Sequence, residues 1–168
     1  EEICGFKLTN TRSSKDPGHI VENNPSFFRI STQDNDVVLF KDNFNSLMKA
    51  VHEENLPKIR ELHESNPFTL DELDSNGWSP LIISSFNGLN ESTKLLLELG
   101  AIPGKTNPRG TTPLMYAKHY AEKTGDTFGM EAILSKNVNK LAEDIFRRNI
   151  YYYLNVNSAH HKKVSSLL

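Results

Sequence analysis

DSNGWSPL, residues 74–81, and NPRGTTPL, residues 107–114, decide the fold. Gly77 and Gly110, Ser79 and Thr112, Pro80 and Pro113, and Leu81 and Leu114 each stand 33 positions apart. A fixed period of that length marks an architecture built from one repeated supersecondary unit. The chemistry of the unit reads residue by residue. Glycine admits the positive φ of a tight turn, the hydroxyl residue two positions on caps a helix N-terminus, and the proline after it takes the first helical position, where its missing N–H costs nothing. A turn therefore runs straight into a helix, expected over Pro80 to Asn87 and stopped by Gly88. Ser84 and Ser85 keep that helix slim where a neighbour must come close. A second helix is expected from Asn90 to Leu99, with Leu95, Leu96, Leu97 and Leu99 for packing and Gly100 as its stop.

The segment joining the two turns, LLLELGAIPGKTNPRGTTPL (95–114), contains Gly100, Gly104, Lys105 and Thr106, the ingredients of a phosphate-cradling loop. The spacing argues against one. Only Ala101, Ile102 and Pro103 separate the glycines, a helix and not a strand precedes them, and a second turn and not a helix follows. Lys105 is expected to be solvated.

Degenerate units flank the two clear turns. Ser46 to Glu53 and Leu56 to His63 read as a helix pair, with Leu47, Ala50 and Val51, then Ile59 and Leu62, at the spacing of a buried face. After Pro113, a first helix is expected to extend through Tyr120 because of an insertion around residues 121–126, and Phe128 to Leu134 forms the second.

NGWSPLIISSFNGLNESTKLLLELGA (76–101) is similar to the ankyrin repeat, with its turn, Thr-Pro-Leu-His, paired small residues, glycine, apolar second helix and Gly-Ala. The resemblance implies a mainly α solenoid of about three helix-turn-helix repeats over residues 43–140. It departs from the family where the histidine that ties neighbouring turns is Ile82 or Met115, so these turns are expected to be held by packing.

Three repeats leave apolar end faces that the flanks must cover. Residues 1–42 are expected to form an N-terminal extension with a β-hairpin, from Phe27-Phe28-Arg29-Ile30-Ser31 and Val37-Val38-Leu39-Phe40. In residues 141–168, Leu141 to Leu154 carries Ala142, Ile145, Phe146, Ile150 and Tyr153 at helical spacing and is expected to be a capping helix ahead of a tail. Arg147, Arg148, Tyr151 and Tyr152 would decorate that helix.

A net charge of −2 lacks the basic footprint of a nucleic-acid binder. No apolar run approaches a membrane span and no signal peptide is visible, so a soluble, cytoplasmic, monomeric protein is expected. The chain opens at Glu1 without methionine, which also fits a processed form or a piece of a longer protein. One cysteine, Cys4, cannot form an internal disulfide, and the six histidines have no metal-ligand spacing. Adjacent carboxylates such as Glu53-Glu54 diverge on a helix, so no catalytic residues, metal or cofactor are expected. Asn90-Glu91-Ser92 is expected to be a helix cap instead of a glycosylation site.

The resemblance implies a non-catalytic module that binds a partner protein through turn tips and the concave side of the first helices. Those positions are Ser75, Asn76, Trp78, Phe86 and Asn87, then Pro108, Arg109, Thr111, His119 and Tyr120. Trp78, Phe86, Arg109 and Tyr120 are residue types that dominate interface energetics. NPRGTTPLMYAKHYAEKTGD (107–126) also looks like the turns of small bacterial ankyrin proteins, some of which are immunity proteins that mask a toxin. The alternative expectation is an ankyrin adaptor segment of a larger regulatory or effector protein.

Overall fold

The computed structural model describes residues 2–3, 6–7, 34–66 and 70–168, with side chains from residue 41 onward. In chain order the elements are β1 (Glu2–Ile3), β2 (Phe6–Lys7), α1 (Asp34–His52), α2 (Leu56–Ser65), α3 (Pro80–Asn87), α4 (Asn90–Glu98), α5 (Pro113–Thr124), α6 (Phe128–Leu134) and α7 (His161–Ser165). β1 and β2 pair antiparallel, Glu2 opposite Lys7 and Ile3 opposite Phe6. Of the expected hairpin, residues 27–31 lie outside the described residues, as does Cys4, whereas Val37 to Phe40 stand inside α1. Lys49 lies in its last turn, where a positive charge suits the helix dipole.

The two diagnostic turns feed their helices as their chemistry requires. Ser79 Oγ accepts the Ile82 N–H at 3.1 Å and Thr112 Oγ1 accepts the Met115 N–H at 3.2 Å, with a proline at the start of each helix. Gly88 and Gly125 end α3 and α5 in the left-handed conformation. α5 runs four residues beyond the expected Tyr120, so its insertion is one added helical turn. The start of α4 is capped from the preceding repeat and not by Asn90: Glu54 Oε2 accepts the N–H groups of Glu91 (3.1 Å) and Ser92 (3.3 Å).

First helices pack on first helices, α1 on α3 and α3 on α5, while α2 packs on α4 and α4 on α6. One apolar cluster runs through the stack, including Leu47, Val51, Ile59, Leu81, Leu96, Met130, Ile133, Ile150 and Val164. Burial of such side chains is the dominant stabilising term. Ser84 and Ser85 are buried where α3 meets its neighbours, and Thr93 Oγ1 donates to Ser84 Oγ at 2.9 Å.

Leu141 to Leu154 is not a capping helix; it begins a third turn of the same kind, which opens a fourth repeat and is called the fourth turn after it. The Asp144 N–H donates to Arg148 O at 3.1 Å and the Arg147 N–H to Asp144 O at 3.0 Å. Asp74 with Trp78 and Gly77, and Asn107 with Thr111 and Gly110, make the same two bonds. In all three turns the first residue's Oδ1 accepts two backbone N–H groups: Asp74 from Asn76 and Trp78, Asn107 from Arg109 and Thr111, Asp144 from Phe146 and Arg148. Asn149 then stands where Ser79 and Thr112 stand, and its Oδ1 accepts the Tyr151 N–H at 3.1 Å. The apolar periodicity of 141–154 is real, but these local side-chain bonds capture the backbone that a helix would need.

Successive turns touch closely. The 74–78 and 107–111 turns pack tightly, where a Cβ on Gly77 would sit 2.9 Å from Pro108 Cδ. Between the 107–111 and 144–148 turns a backbone bond is added, Ile145 N–H to Arg109 O at 2.9 Å. There a Cβ on Gly110, at φ 75°, would sit 2.9 Å from Asp144 Cα. Gly100 also has a positive φ, 98°, but nothing lies within 4 Å. Gly100→Ala is therefore expected to cost about 1 kcal/mol, from the left-handed backbone alone. Gly110→Ala should cost about 2 kcal/mol or more, since backbone atoms cannot step aside. Urea titrations of the two variants check this; equal losses would mean the turns do not pack at Gly110.

Candidate functional site

Four rings meet on the first-helix layer. The Trp78 ring lies 5.3 Å from those of Phe86 and Tyr116, Phe86 meets Tyr116 edge-on at 5.8 Å, and His119 stacks on Phe86 at 6.2 Å and 5°. Two repeats contribute, through α3 and its turn and through α5. The Asn107 amide donates to Tyr116 Oη at 3.0 Å, fixing that ring to the turn before it. Trp78 and Tyr116 are half-buried, while Phe86 and His119 face outward. Edge-on and offset ring pairs are favoured by the aromatic quadrupole, so the cluster is preorganised and presents apolar surface.

The fourth turn repeats the plan with different side chains. Tyr153 occupies the place of Tyr116, and its hydroxyl donates to Asp144 Oδ2. Burial works to raise the Asp144 carboxyl, but the Tyr153 hydroxyl, the Arg148 and Phe146 amides and the Arg148 charge together hold it below the usual carboxylate range. The same hydrogen bond, with burial, pushes the Tyr153 phenol up. The Arg148 guanidinium lies 5.3 Å from the Phe146 ring centroid and 4.6 Å from that of Tyr152, within cation–π range.

A third cluster lies on the loops before the turns. Asp71 Oδ1 accepts the Ile102 N–H at 2.8 Å, joining one loop to the next. Glu72 is 2% exposed and its Oε1 has no partner among the described residues. Burial pushes its carboxyl up to about 7, the Lys105 charge opposing and the Asp71 charge adding to the shift. Lys105, expected to be free in solvent, is instead half-buried beside these two acids.

Of the anticipated positions, Ser75, Asn76, Pro108 and Arg109 are exposed at the tips, and Thr111 is half-buried beside them. Trp78, Phe86 and His119 come together in the ring cluster. Asn87 is exposed and bonds back to Ile83 O at 3.0 Å, within its own helix. Tyr120 is half-buried over Gly88, where an added Cβ would lie 2.0 Å from its ring, so it packs between repeats. Tyr116 was not among the anticipated site positions, and Phe146, Arg148 and Tyr152 were expected only to pack on or decorate a capping helix, a stacking platform for bases being the disfavoured reading of Arg147, Arg148 and Tyr151 to Tyr153. The spacing of 37 from Asn107 to Asp144, the earlier 33 plus one helical turn, is the signal that finds Phe146, Arg148 and Tyr152.

No helix among the described residues is long and apolar enough to cross a membrane. A family model described as ankyrin repeats, in three copies, matches residues 47–144. No curated protein matches the chain.

Proposed function

Because the chain belongs to the ankyrin-repeat family, whose repeats generally mediate protein–protein contact and are generally non-catalytic, we propose that it binds one partner protein through its turn tips and first-helix layer. The observation that carries this reading is the cluster of Trp78, Phe86, Tyr116 and His119, built from two repeats, half-open, and flanked by the exposed tips Ser75-Asn76 and Pro108-Arg109. Rigid aromatic anchors beside an arginine are the composition of interface hot spots. The role we assign is occlusion, in the manner of the immunity proteins whose turns these resemble: a toxin-like partner is neutralised by covering its working surface, and a slow off-rate does the work. An adaptor segment that docks a domain on its own polypeptide is the competing reading, and the reading frame of the gene separates the two.

The test is the partner co-purified from the source organism, with affinity and thermal midpoint measured together. Arg109→Ala and Arg109→Glu should each weaken binding by about 2 kcal/mol or more. Their midpoints should hardly move, because an exposed turn-tip substitution costs within about 0.5 kcal/mol. Trp78→Ala should lose binding too, with some stability, since its ring packs on two others. Unchanged affinity for all three would remove this face from the interface.

A further inference from the structure

Among the described residues nine large hydrophobic side chains are exposed, and six of them, Leu141, Ile145, Phe146, Tyr151, Tyr152 and Val156, belong to the fourth turn and its continuation. Six exposed apolar side chains gathered in residues 141–156, where elsewhere they stand singly, mark this stretch as an interaction surface. Charge is distributed as unevenly. Two of the three turns carry arginines, Arg109 in one and Arg147 and Arg148 in the other, none of which forms an ion pair among the described residues. Of the acids of those turns, Asp74 and Asp144 already accept backbone N–H groups of their own turn, and Glu143 is the one exposed acid beside them, against three arginines. Glu61, Glu64, Glu91, Glu98 and Glu131, all exposed, lie on α2, α4 and α6. A chain of net charge −2 thus presents a basic rim beside its apolar patch.

Arg148 joins the two features. Its guanidinium lies against Phe146 and Tyr152, residues that are 59% and 64% exposed. Stacking, with Tyr153 and the Asp144 carboxylate of its own turn close by, holds the fork in place, and five N–H donors exceed what these neighbours take, leaving some for an incoming carboxylate.

We propose that the fourth turn anchors the partner, and that its occupant is an acidic segment of a partner protein. A carboxylate is taken by Arg148, and an apolar neighbour of that carboxylate packs on Ile145, Phe146 and Tyr152. This rests on the protein-binding reading above and adds the chemistry of the partner. A second copy of this chain fits worse, because two-fold pairing of the patch would face Lys140, Arg147 and Arg148 with themselves. Single-stranded nucleic acid would use the arginines and rings but leave Leu141, Ile145 and Val156 without a role.

The experiment is fluorescence anisotropy with a labelled glutamate–tyrosine copolymer as probe, oligo-dT as a second probe, and sedimentation of the protein alone. The copolymer should bind wild type, more weakly as salt rises. Arg148→Glu and Phe146→Ser should each weaken it by about tenfold or more, with circular dichroism unchanged, while Lys94→Glu on α4 leaves it as it was. Failure of the copolymer to bind, or equal affinity for Arg148→Glu, overturns the proposal. So does tighter binding of oligo-dT, or a dimer that Phe146→Ser abolishes. With the co-purified partner in hand, Arg148→Glu that still binds while Arg109→Glu does not would sink the fourth-turn anchor and leave the protein-binding reading standing; binding by both variants would sink both.

Discussion

Glu122→Ala is expected to destabilise the protein by about 3–5 kcal/mol, the cost of stranding a buried charge. Lys118 and Glu122 form an ion pair of 2.8 Å on α5, with side chains only 4% and 5% exposed. The pair is also the clasp for the end of the chain. Lys118 Nζ donates to Tyr153 O, Glu122 Oε1 accepts the Asn155 N–H at 2.8 Å, and Ser158 Oγ donates to Glu122 O. Removing Glu122 leaves an ammonium without its counter-charge and an amide without its acceptor. The double variant Lys118→Met/Glu122→Leu should recover part of the loss, because apolar groups of similar size are tolerated where half of an ion pair is not, while Tyr153 O and the Asn155 N–H stay without their side-chain partners. Urea titration of Lys118→Met, Glu122→Leu and the double gives the coupling directly. Hydrogen exchange in Glu122→Ala should open first at residues 153–165. Additive losses, or uniform exchange, would show that the pair does not hold the fourth turn.

The second large effect is a pH dependence set by Glu72. Its carboxyl titrates near 7 in the fold, against 4.5 for the ordinary group. The native state therefore holds a proton that the unfolded chain has released. The associated stability is fully present below about pH 4.5, declines as pH rises, and is gone above about pH 7, with a ceiling near 3 kcal/mol. Asp71, also raised by burial, acts in the same direction. Asp144 acts in the opposite one: its depressed carboxyl supports the fold at neutral pH, and that support is lost as pH falls through its titration. Glu72→Gln should flatten the fall between pH 5 and pH 8 and raise the midpoint at pH 8. Thermal melts across that range check it, and an unchanged slope would move the titrating group elsewhere.

How far the fold could be read from the sequence depended on which residues fill the turns. Gly77 and Gly110, with Ser79, Thr112, Pro80 and Pro113, carry conformations that other residues rarely supply, and the helices that follow them begin where that chemistry puts them. The fourth turn puts Arg147, at φ 59°, where the glycines stand, and Asn149 where the serine and threonine stand. Its glycine signal is absent, and one inserted helical turn in α5 displaces its register. The same 141–154 stretch has helical periodicity, so pattern and turn chemistry pointed in different directions. At the candidate site, Trp78, Phe86 and His119 were visible as residue types at turn and helix positions. Tyr116 was not, because its part depends on the Asn107 side chain that orients it. Glu72 was equally hidden: burial of a carboxyl by a neighbouring loop leaves no trace in local spacing.

The central claim is that a partner protein is held by the turn tips and the first-helix layer. Photo-crosslinking in the producing cells tests it most directly, with benzoylphenylalanine placed singly at Asn76, Arg109 and Phe146, and at Lys94 and Lys136 on the side of α4 and α6. All five positions are exposed, so each probe reports contact and not misfolding. The account predicts one adduct of the same added mass from the three tip positions and none from Lys94 or Lys136. An adduct from Lys94 or Lys136 with none from the tips would contradict it.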